Sequence, residues 1–249
     1  MAWNKKFLIS ENVDVRPMVV QNNTPSNNYY VLRYGADRTI LVKNEAYDYR
    51  WVAPATKPDW LYLSLISDES WHLHQDLIDY LQQNREIKLV FQPGTFHFKW
   101  GVEKLAKIYE LTNLIVLNRE EAVGVTGKPY DSIPSLAEAL HALGPKRVVI
   151  TDGTNGSYVS HNGKIVTVPN YPDPAPPLDR TGAGDAFAAT VVAALALGKD
   201  SDASLLWAPI NSMSVVQKIG AQAGLLKADE INKYMNTAPD WYKVGEFKE

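Results

Sequence analysis

The stretch LDRTGAGDAF, Leu178–Phe187, places two glycines and an aspartate, Asp185, at the entrance to a long apolar segment. The start of a helix offers unpaired N–H groups and a partial positive charge, and glycines let a phosphate approach that backbone closely. The apolar pattern predicts a buried helix behind Asp185. We therefore expect Asp185 to stay ionised and to accept a proton from a substrate hydroxyl beside an anion-binding backbone. The alternative is an ordinary first-turn aspartate after a loop rich in glycine.

Composition narrows the classes of function. The chain has 249 residues, 45% of them hydrophobic and 21% charged, as is usual for a globular domain. Its net charge of −3 argues against binding to nucleic acid or to an anionic membrane, so a phosphorylated ligand would need a local site. The absence of cysteine excludes disulfides and thiolate metal sites. The first residues lack the apolar core of a signal peptide, and no apolar run is long enough to span a bilayer. We therefore expect a cytoplasmic protein.

Strand-like and helix-like segments alternate from Asp59 to Thr151. This alternation predicts βαβ units that form a mostly parallel sheet with helices on both faces. The segment SYVSHNGKIVTV then predicts an antiparallel hairpin that turns at Asn162–Gly163. The expected fold class is α/β, a three-layer sandwich. We expect residues 1–249 to form a single domain, because no stretch reads as a convincing linker.

The segment YYVLRYGADRTILVK precedes the alternating region. Its two strand-like runs, Tyr29–Tyr34 and Thr39–Lys43, flank a turn at Gly35–Arg38 and predict a β hairpin. The runs are rich in tyrosine and mix polar with apolar residues on each face. We expect one face of this hairpin to cover another surface.

Five segments together resemble one family. DRTGAGDAF is similar to the second signature of the ribokinase-like (PfkB-type) carbohydrate kinases. The chain also contains, in the family's order, TPSNNYYVLRYGADRTILV, NREEAVGVTG, VVITDGTNGSYVS and INSMSVVQKIGAQAGL, the first of which resembles its β lid. The resemblance covers about Thr24–Leu226. It implies a ribokinase-like α/β domain with a small β lid at about residues 18–52, and a kinase that uses ATP and Mg²⁺.

The resemblance implies catalytic roles for two of these motifs. Asp185 would be the base that deprotonates the acceptor hydroxyl. The anion hole would be formed by the backbone N–H groups of Gly182, Ala183 and Gly184. Asn118 and Glu121 would organise Mg²⁺ and its waters, and Mg²⁺ does favour a few oxygen ligands together with water. The alternative for this pair is a helix cap followed by a first-turn acid.

The remaining motifs would surround the nucleotide. The resemblance implies that its phosphates lie near Thr151, Gly153 and Gly156, where an ordinary tight turn between strands is the alternative. The adenosine would be bordered by Asn211 and by the segment Lys218–Gly224.

The segment around Asp179 also matches a feature of some family members. Asp179, together with the backbone near Val215, Gly220 and Gly224, would form a site for a monovalent cation, K⁺ being the candidate. Gly220 would also lie beside the nucleotide.

Two residues depart from the family pattern. Arg180 stands where the family usually has a small residue, and it would be either a bidentate phosphate clamp or a partner of Asp179. Gln92, in VFQPGTF, stands where many members have aspartate.

Much of the family's N-terminal region, with its sugar-binding strand and Gly-Gly helix, is expected to be missing, and the sequence contains no Gly-Gly pair.

Three functions are compatible with these observations. The first is an ATP-dependent kinase that phosphorylates a hydroxyl of a small sugar, nucleoside or polyol. The alternative is a nucleotide-binding pseudokinase or interaction protein that has lost acceptor binding. A different phosphate-handling α/β enzyme is a third, weaker interpretation.

A shortened sheet edge or the lid hairpin would expose unpaired or apolar surface, so we also expect a homodimer.

Overall fold

A computed structural model describes residues 2–34, 37–199 and 201–248. They form two compact units. The first contains the residues up to 58 together with residues 66–85, and the second contains residues 59–65 together with those from 86 onward. Each unit is described separately.

The first unit contains the predicted β hairpin. Its elements are the helix α1 (Ala2–Ser10), the strands β1 (Asn28–Tyr34) and β2 (Asp37–Lys43), and the helix α2 (Trp71–Gln83). The strands pair antiparallel, with Tyr30 opposite Leu41, which confirms the hairpin. Within its expected turn, Gly35 and Ala36 lie outside the described residues.

Apolar side chains of the hairpin face outward on both sides. Each of the following is at least 39% exposed: Tyr29, Tyr30, Val31, Leu32, Tyr34, Ile40, Leu41 and Val42. Neighbouring residues of a strand point to opposite faces, so apolar side chains are exposed on both faces of the hairpin.

The second unit is built on one sheet. Its described strands are β3 (Trp60–Leu63), β4 (Lys88–Phe91), β5 (Thr112–Asn118), β6 (Arg147–Thr151), β7 (Ser157–His161), β8 (Lys164–Val168) and β9 (Gly245–Glu246), in that spatial order. The strands β3 to β6 are parallel, and β7 to β9 extend the sheet antiparallel. The hairpin predicted at Asn162–Gly163 joins β7 to β8, with both turn residues at positive φ, the conformation that a tight hairpin turn requires.

Helices cover both faces of this sheet. They are α3 (Thr95–Leu111), α4 (Arg119–Thr126), α5 (Ile133–Ala142), α6 (Ala183–Ala196), α7 (Ser201–Val216) and α8 (Ala228–Asn236). Val90 and Val149 belong to a buried cluster with residues of α6, α7 and α8. Phe91, the next residue after Val90, points the other way and meets the Tyr109 ring of α3 at 5.5 Å between centroids. The predicted three-layer α/β sandwich is therefore confirmed.

The helix α6 is buried on one side, whereas Gly184, Asp185, Ala189, Ala193 and Ala196 are exposed. Seven of its residues are buried: Ala186, Phe187, Ala188, Thr190, Val191, Val192 and Ala194. Because α6 is apolar nearly all round, it is stable only inside the packed unit, as the sequence predicts. None of the helices in the described parts of the chain is long and apolar enough to cross a lipid bilayer.

Candidate active site

The parallel strands end in a row of polar residues. Gln92 follows β4, Asn118 ends β5 and Thr151 ends β6, with Asn118 directly opposite Thr151 in the sheet. The carboxyl ends of parallel strands share one edge, and open α/β sheets bind their ligands there. The start of α6 reaches the same edge, because Gln92 contacts Asp185.

Gly182 allows the chain to turn into α6. It caps the helix with φ +83°, and a Cβ at this position would lie 2.6 Å from the Cβ of Ala221. The backbone conformation and the close approach both require glycine. The first helical hydrogen bond runs from the N–H of Ala186 to the carbonyl of Gly182, at 2.8 Å. Among the N–H groups that precede it, that of Ala183 donates to the carbonyl of Arg180 in a long contact of 3.4 Å. The anion hole of Gly182, Ala183 and Gly184 would need this N–H to turn to a ligand, and it stays a prediction.

Asp185 lies in the first turn of α6 with its side chain exposed. Its Oδ1 accepts a hydrogen bond of 3.0 Å from the Nε2 of Gln92. The Oε1 of Gln92 is in turn hydrogen-bonded to the hydroxyl of Tyr62, on β3. Burial, followed by the negative charge of Asp185, raises the pKa of Tyr62 above its usual range. The helix is thus buried while the carboxylate of Asp185 remains accessible to a ligand.

Asn118 and Glu121 form a reciprocal cap at the start of α4. The Oδ1 of Asn118 accepts from the N–H of Glu121, and the Oε2 of Glu121 accepts from the N–H of Asn118, both at 2.8 Å. Burial raises the pKa of Glu121, the Asn118 N–H opposes that shift, and the charges of Glu120 and Asp185 add to it. The alternative interpretation of this pair as a helix cap is therefore present in the structure.

The acidic groups at this edge fit only a loosely held divalent cation. The described residues contain no group of three or more His, Cys, Asp or Glu side chains able to hold a metal ion. However, Glu121 and Asp185 each offer a carboxylate in the first turn of a helix, and carboxylate oxygens are ligands that Mg²⁺ accepts. Mg²⁺ keeps several waters and binds through one or two carboxylates together with phosphates, so the residues fit Mg²⁺ in that manner.

A buried ion pair, which sequence reasoning missed, joins the ends of β5 and β6. The Nη1 of Arg119 lies 2.7 Å from the Oδ2 of Asp152, with the two side chains 12% and 6% exposed. The guanidinium of Arg119 also lies over the ring of Tyr130. Arg119 and Asp152 each follow the last residue of a parallel strand. Placing the ends of β5 and β6 side by side in the predicted sheet would therefore have brought these two opposite charges together. It holds together the two loops that carry Asn118 and Thr151.

The predicted phosphate turn is a short 3-10 segment, Gly153–Asn155. The side chain of Asn170 donates to the carbonyl of Gly153 at 2.8 Å, which ties the turn to the loop after β8. Gly156 has φ +87°, and a Cβ there would lie 2.4 Å from the carbonyl oxygen of Val168. Gly153 lines a cavity, whereas Thr151 and Gly156 shape the backbone beside it.

This cavity lies next to the start of α6 and has a volume of about 210 Å³. It is lined by Gly153, Thr154, Asn170, Tyr171, Asp173, Pro177, Arg180, Ala183, Pro209, Ser212, Met213 and Val216. Apolar walls with a few polar groups are typical of sites for small ligands and cofactors. Ser212 links the two sides of the cavity, because its hydroxyl donates to the carbonyl of Ala183 at 2.8 Å.

Asp179 and Arg180 have different surroundings. Asp179 is 8% exposed, and its carboxylate accepts from the N–H and hydroxyl of Thr181 and from the N–H of Gly220. Arg180 is exposed and lines the cavity, where its charge opposes the burial that raises the pKa of Asp173. Both interpretations of Arg180, as a phosphate clamp and as a partner of Asp179, stay predictions.

Asn211 is 6% exposed and is absent from the cavity lining. Its Nδ2 donates to the hydroxyl of Thr190 at 2.8 Å, and its Oδ1 accepts from the N–H of Leu226 at 2.9 Å. Asn211 thus connects α6, α7 and the segment before α8. Its predicted place beside the adenosine stays a prediction, and the contacts in the structure are structural ones.

Comparison with known proteins identifies the family of the chain. A family model described as pfkB family carbohydrate kinase matches residues 4–228. The chain belongs to the pfkB family of carbohydrate kinases. The resemblance seen in the sequence motifs is therefore confirmed.

Curated relatives in this family are similar to parts of the chain. Ribokinase of Bacillus subtilis is 38% identical over 102 residues, which cover 41% of this chain and only 34% of that protein. An uncharacterized sugar kinase of Archaeoglobus fulgidus is 26% identical over 185 residues, 72% of this chain and 70% of that protein. A nucleoside kinase of Methanocaldococcus jannaschii is 27% identical over 141 residues, 57% of this chain and 45% of that protein.

Solved structures share the fold of this pfkB family member. A putative ribokinase II from E. coli, in complex with ATP and Mg²⁺, has a TM-score of 0.79 at 19% identity and covers 95% of this chain and 79% of that one. Fructokinase from Vibrio cholerae, in a form bound to fructose, ADP and calcium ion, has a TM-score of 0.78 at 20% identity, with 94% and 80% covered. At these identities the likeness concerns the fold.

The buried contacts of Asn211 generate a prediction about stability. Asn211→Ala should lower the free energy of unfolding by about 1–3 kcal/mol, because it leaves the N–H of Leu226 without its acceptor in the protein interior. Urea denaturation measures the change. The control is Asn232→Ala, an exposed position on α8, where we expect a change within about 0.5 kcal/mol. Equal stability of the two variants would contradict the structural role, and unchanged nucleotide affinity of Asn211→Ala would contradict the predicted adenosine contact.

Proposed function

We propose that this pfkB family member is an ATP-dependent kinase that transfers the γ-phosphoryl group to a hydroxyl of a small sugar, nucleoside or polyol. The observation that carries the proposal is the position of Asp185. Its exposed carboxylate stands at the start of α6, one turn from a cavity lined by Ala183 and Arg180. A base and an anion-binding backbone thus lie side by side, as phosphoryl transfer to a hydroxyl requires.

The proposed reaction relies on positioning and on charge. Asp185 accepts the proton of the acceptor hydroxyl as the acceptor oxygen forms its bond to the γ-phosphorus and the bond to ADP breaks. The N–H groups at the start of α6 stabilise the negative charge on the transferred group. The acceptor and the nucleotide approach each other in line, so most of the catalytic effect comes from orientation.

The proposed nucleotide position follows the cavity. Its apolar wall from Tyr171 to Val216 suits a purine, and Gly153 and Arg180 are placed to meet phosphates. Mg²⁺, when bound with the nucleotide, would neutralise charge on the phosphates, and Glu121 and Asn118 would hold it through water. A monovalent cation near Asp179 remains a prediction that rests on the family resemblance.

The acceptor class follows from the relatives. Proteins named ribokinase and nucleoside kinase are similar to this chain, so we propose a sugar or a nucleoside as the acceptor. Absence of cysteine suits a reducing compartment, and we propose that the protein acts in the cytoplasm, where ATP is supplied. Nucleotide binding without ADP production from any acceptor would favour the alternative, a pseudokinase.

Asp185→Asn tests the proposed base. With an acceptor found by screening sugars and nucleosides for ADP release, we expect turnover to fall by about two to four orders of magnitude, since the amide cannot take the proton. ATP affinity, measured by calorimetry, should stay close to that of the unmodified protein. The matched control is Asp229→Asn, which changes a first-turn aspartate of α8 and should leave turnover unchanged. More than a third of the original turnover in Asp185→Asn would show that Asp185 is not the base.

Glu121→Gln tests the proposed metal role without removing the helix cap. Glutamine at this position can still accept from the N–H of Asn118, so the cap and the free energy of unfolding should be kept. Loss of the charge should raise the Mg²⁺ concentration for half-maximal activity by about tenfold, the effect of roughly 1.4 kcal/mol. ATP affinity without metal should change little. The control is Glu120→Gln, an exposed neighbour in the same turn; equal Mg²⁺ titrations of the two variants would contradict the role of Glu121.

The exposed hairpin generates a prediction about assembly. Contiguous exposed apolar surface marks an interaction site, and we propose that a second copy of the chain covers it. Light scattering after size exclusion should give a homodimer. Replacing the paired residues Tyr30 and Leu41 by threonine keeps strand propensity and should yield a monomer. Leu197→Thr, at a position 65% exposed outside the hairpin, should remain a dimer. A monomeric unmodified protein would contradict the proposal.

A further inference from the structure

Two residues outside the family's signature motifs form a chain of hydrogen bonds that ends on Asp185. Tyr62 of β3 is hydrogen-bonded to the Oε1 of Gln92, and the Nε2 of Gln92 donates to the Oδ1 of Asp185 at 3.0 Å. The three residues come from a sheet edge strand, the end of its neighbour and the start of α6. No part of the proposed mechanism so far uses Tyr62 or Gln92.

Strand register brings Tyr62 and Gln92 together. Tyr62 is opposite Val90 in the parallel pair of β3 and β4, and Gln92 comes two residues later. Because side chains alternate along a strand, Val90 and Gln92 point to the same face. That face carries α6, since Val90 belongs to the buried cluster that includes Phe187. The N–H of Gln92 also donates to the carbonyl of Leu63 at 2.9 Å, which fixes the backbone of Gln92 at the end of the strand.

The hydroxyl of Tyr62 determines which way the amide of Gln92 faces. An amide has one oxygen that accepts and one nitrogen that donates. A tyrosine hydroxyl is protonated at neutral pH, so Tyr62 donates to Oε1 and leaves Nε2 directed at Asp185. A carboxylate at position 92 has no proton to donate and would repel Asp185.

We propose that Tyr62 and Gln92 are positioning residues that occupy Oδ1 of Asp185 and thereby present Oδ2 to the acceptor hydroxyl. The inference rests on the proposed kinase function. In the transfer step the acceptor O–H bond breaks and its proton moves to Oδ2. The acceptor oxygen forms its bond to the γ-phosphorus, and the electron pair of the breaking P–O bond leaves with ADP.

The exposure of Asp185 explains why such a donor is needed. An exposed carboxylate in the first turn of a helix can rotate about its side-chain bonds, and the hydrogen bond from Gln92 to Oδ1 restricts that rotation. Gln92 is neutral, so the bond orients Asp185 without placing a charge beside it.

The decisive variant is Gln92→Glu, which has almost the same shape but cannot donate to Asp185 when ionised. If Gln92 served only in packing, Gln92→Glu would preserve that packing and kcat would be retained. The proposed role predicts that Gln92→Glu and Gln92→Ala both lower kcat by about 10- to 100-fold, the range expected for a hydrogen bond to a charged group. The KM for ATP should change by less than about twofold in both variants, because the chain of hydrogen bonds acts on the base.

Tyr62→Phe tests whether the tyrosine acts through Gln92. It removes only the hydroxyl, and kcat should fall by about 3- to 10-fold, as for a neutral hydrogen bond. In the Gln92→Ala background the same change should have no further effect, since residues that act in series are not additive. Tyr80→Phe is the matched control, because it lies on α2 with its ring against Trp51 and should keep the original kcat. Thermal unfolding of every variant checks that the fold is intact.

The outcomes separate the two proposals. If the unmodified protein releases no ADP with any sugar or nucleoside, the kinase function fails and the positioning role fails with it. If the unmodified protein is active while Gln92→Glu keeps its kcat, the kinase function stands and the positioning role is overturned. A full effect of Tyr62→Phe in the Gln92→Ala background would overturn the role of Tyr62 alone. A loss of kcat in Gln92→Glu, together with a loss in Tyr62→Phe that disappears in the Gln92→Ala background, supports the proposal.

Discussion

Packing of the apolar helix α6 against the strands β4 to β7 determines where the glycine segment begins and where Asp185 lies. Phe187 and Val191 are buried in the same cluster as Val90 and Val149. Burying one such side chain contributes about 1.5–3 kcal/mol, so several of them hold the helix firmly. The helix cannot shift along its axis without exposing this face. Asp185 directly precedes the buried residues of this helix, so the core itself fixes its position.

The second constraint is the common edge at which the parallel strands end. Gln92, Asn118 and Thr151 arrive there because β4, β5 and β6 run in the same direction. The ion pair of Arg119 and Asp152 then holds two of the loops together. A buried pair of this kind contributes little net stability, since desolvation offsets the attraction. Its contribution here is to geometry, because it fixes the spacing between the cap at Asn118 and the turn at Gly153.

Several residues that look catalytic in the sequence have a structural contact as well. Glu121 closes a capping box, Asp179 accepts three hydrogen bonds from Thr181 and Gly220, and the amide of Asn211 is satisfied inside the core. A site built this way stays ordered before its ligand arrives. Preorganised groups lose little entropy when the ligand binds and need little rearrangement in the reaction. The same contacts mean that mutating these residues changes stability as well as activity, so matched control variants are needed.

The sequence by itself determined the fold class, the family and the place of Asp185, because those depend on local patterns. Alternating strands and helices predict the layers, the apolar run after Gly184 predicts a buried helix, and spaced motifs identify the family. Tertiary structure alone decided that Tyr62, Gln92 and Asp185 meet, and that Arg119 pairs with Asp152. Those contacts join residues from separate strands and helices, and strand register with helix packing sets their distances. Register and packing arise only when the whole core assembles, so no single stretch of the sequence contains them.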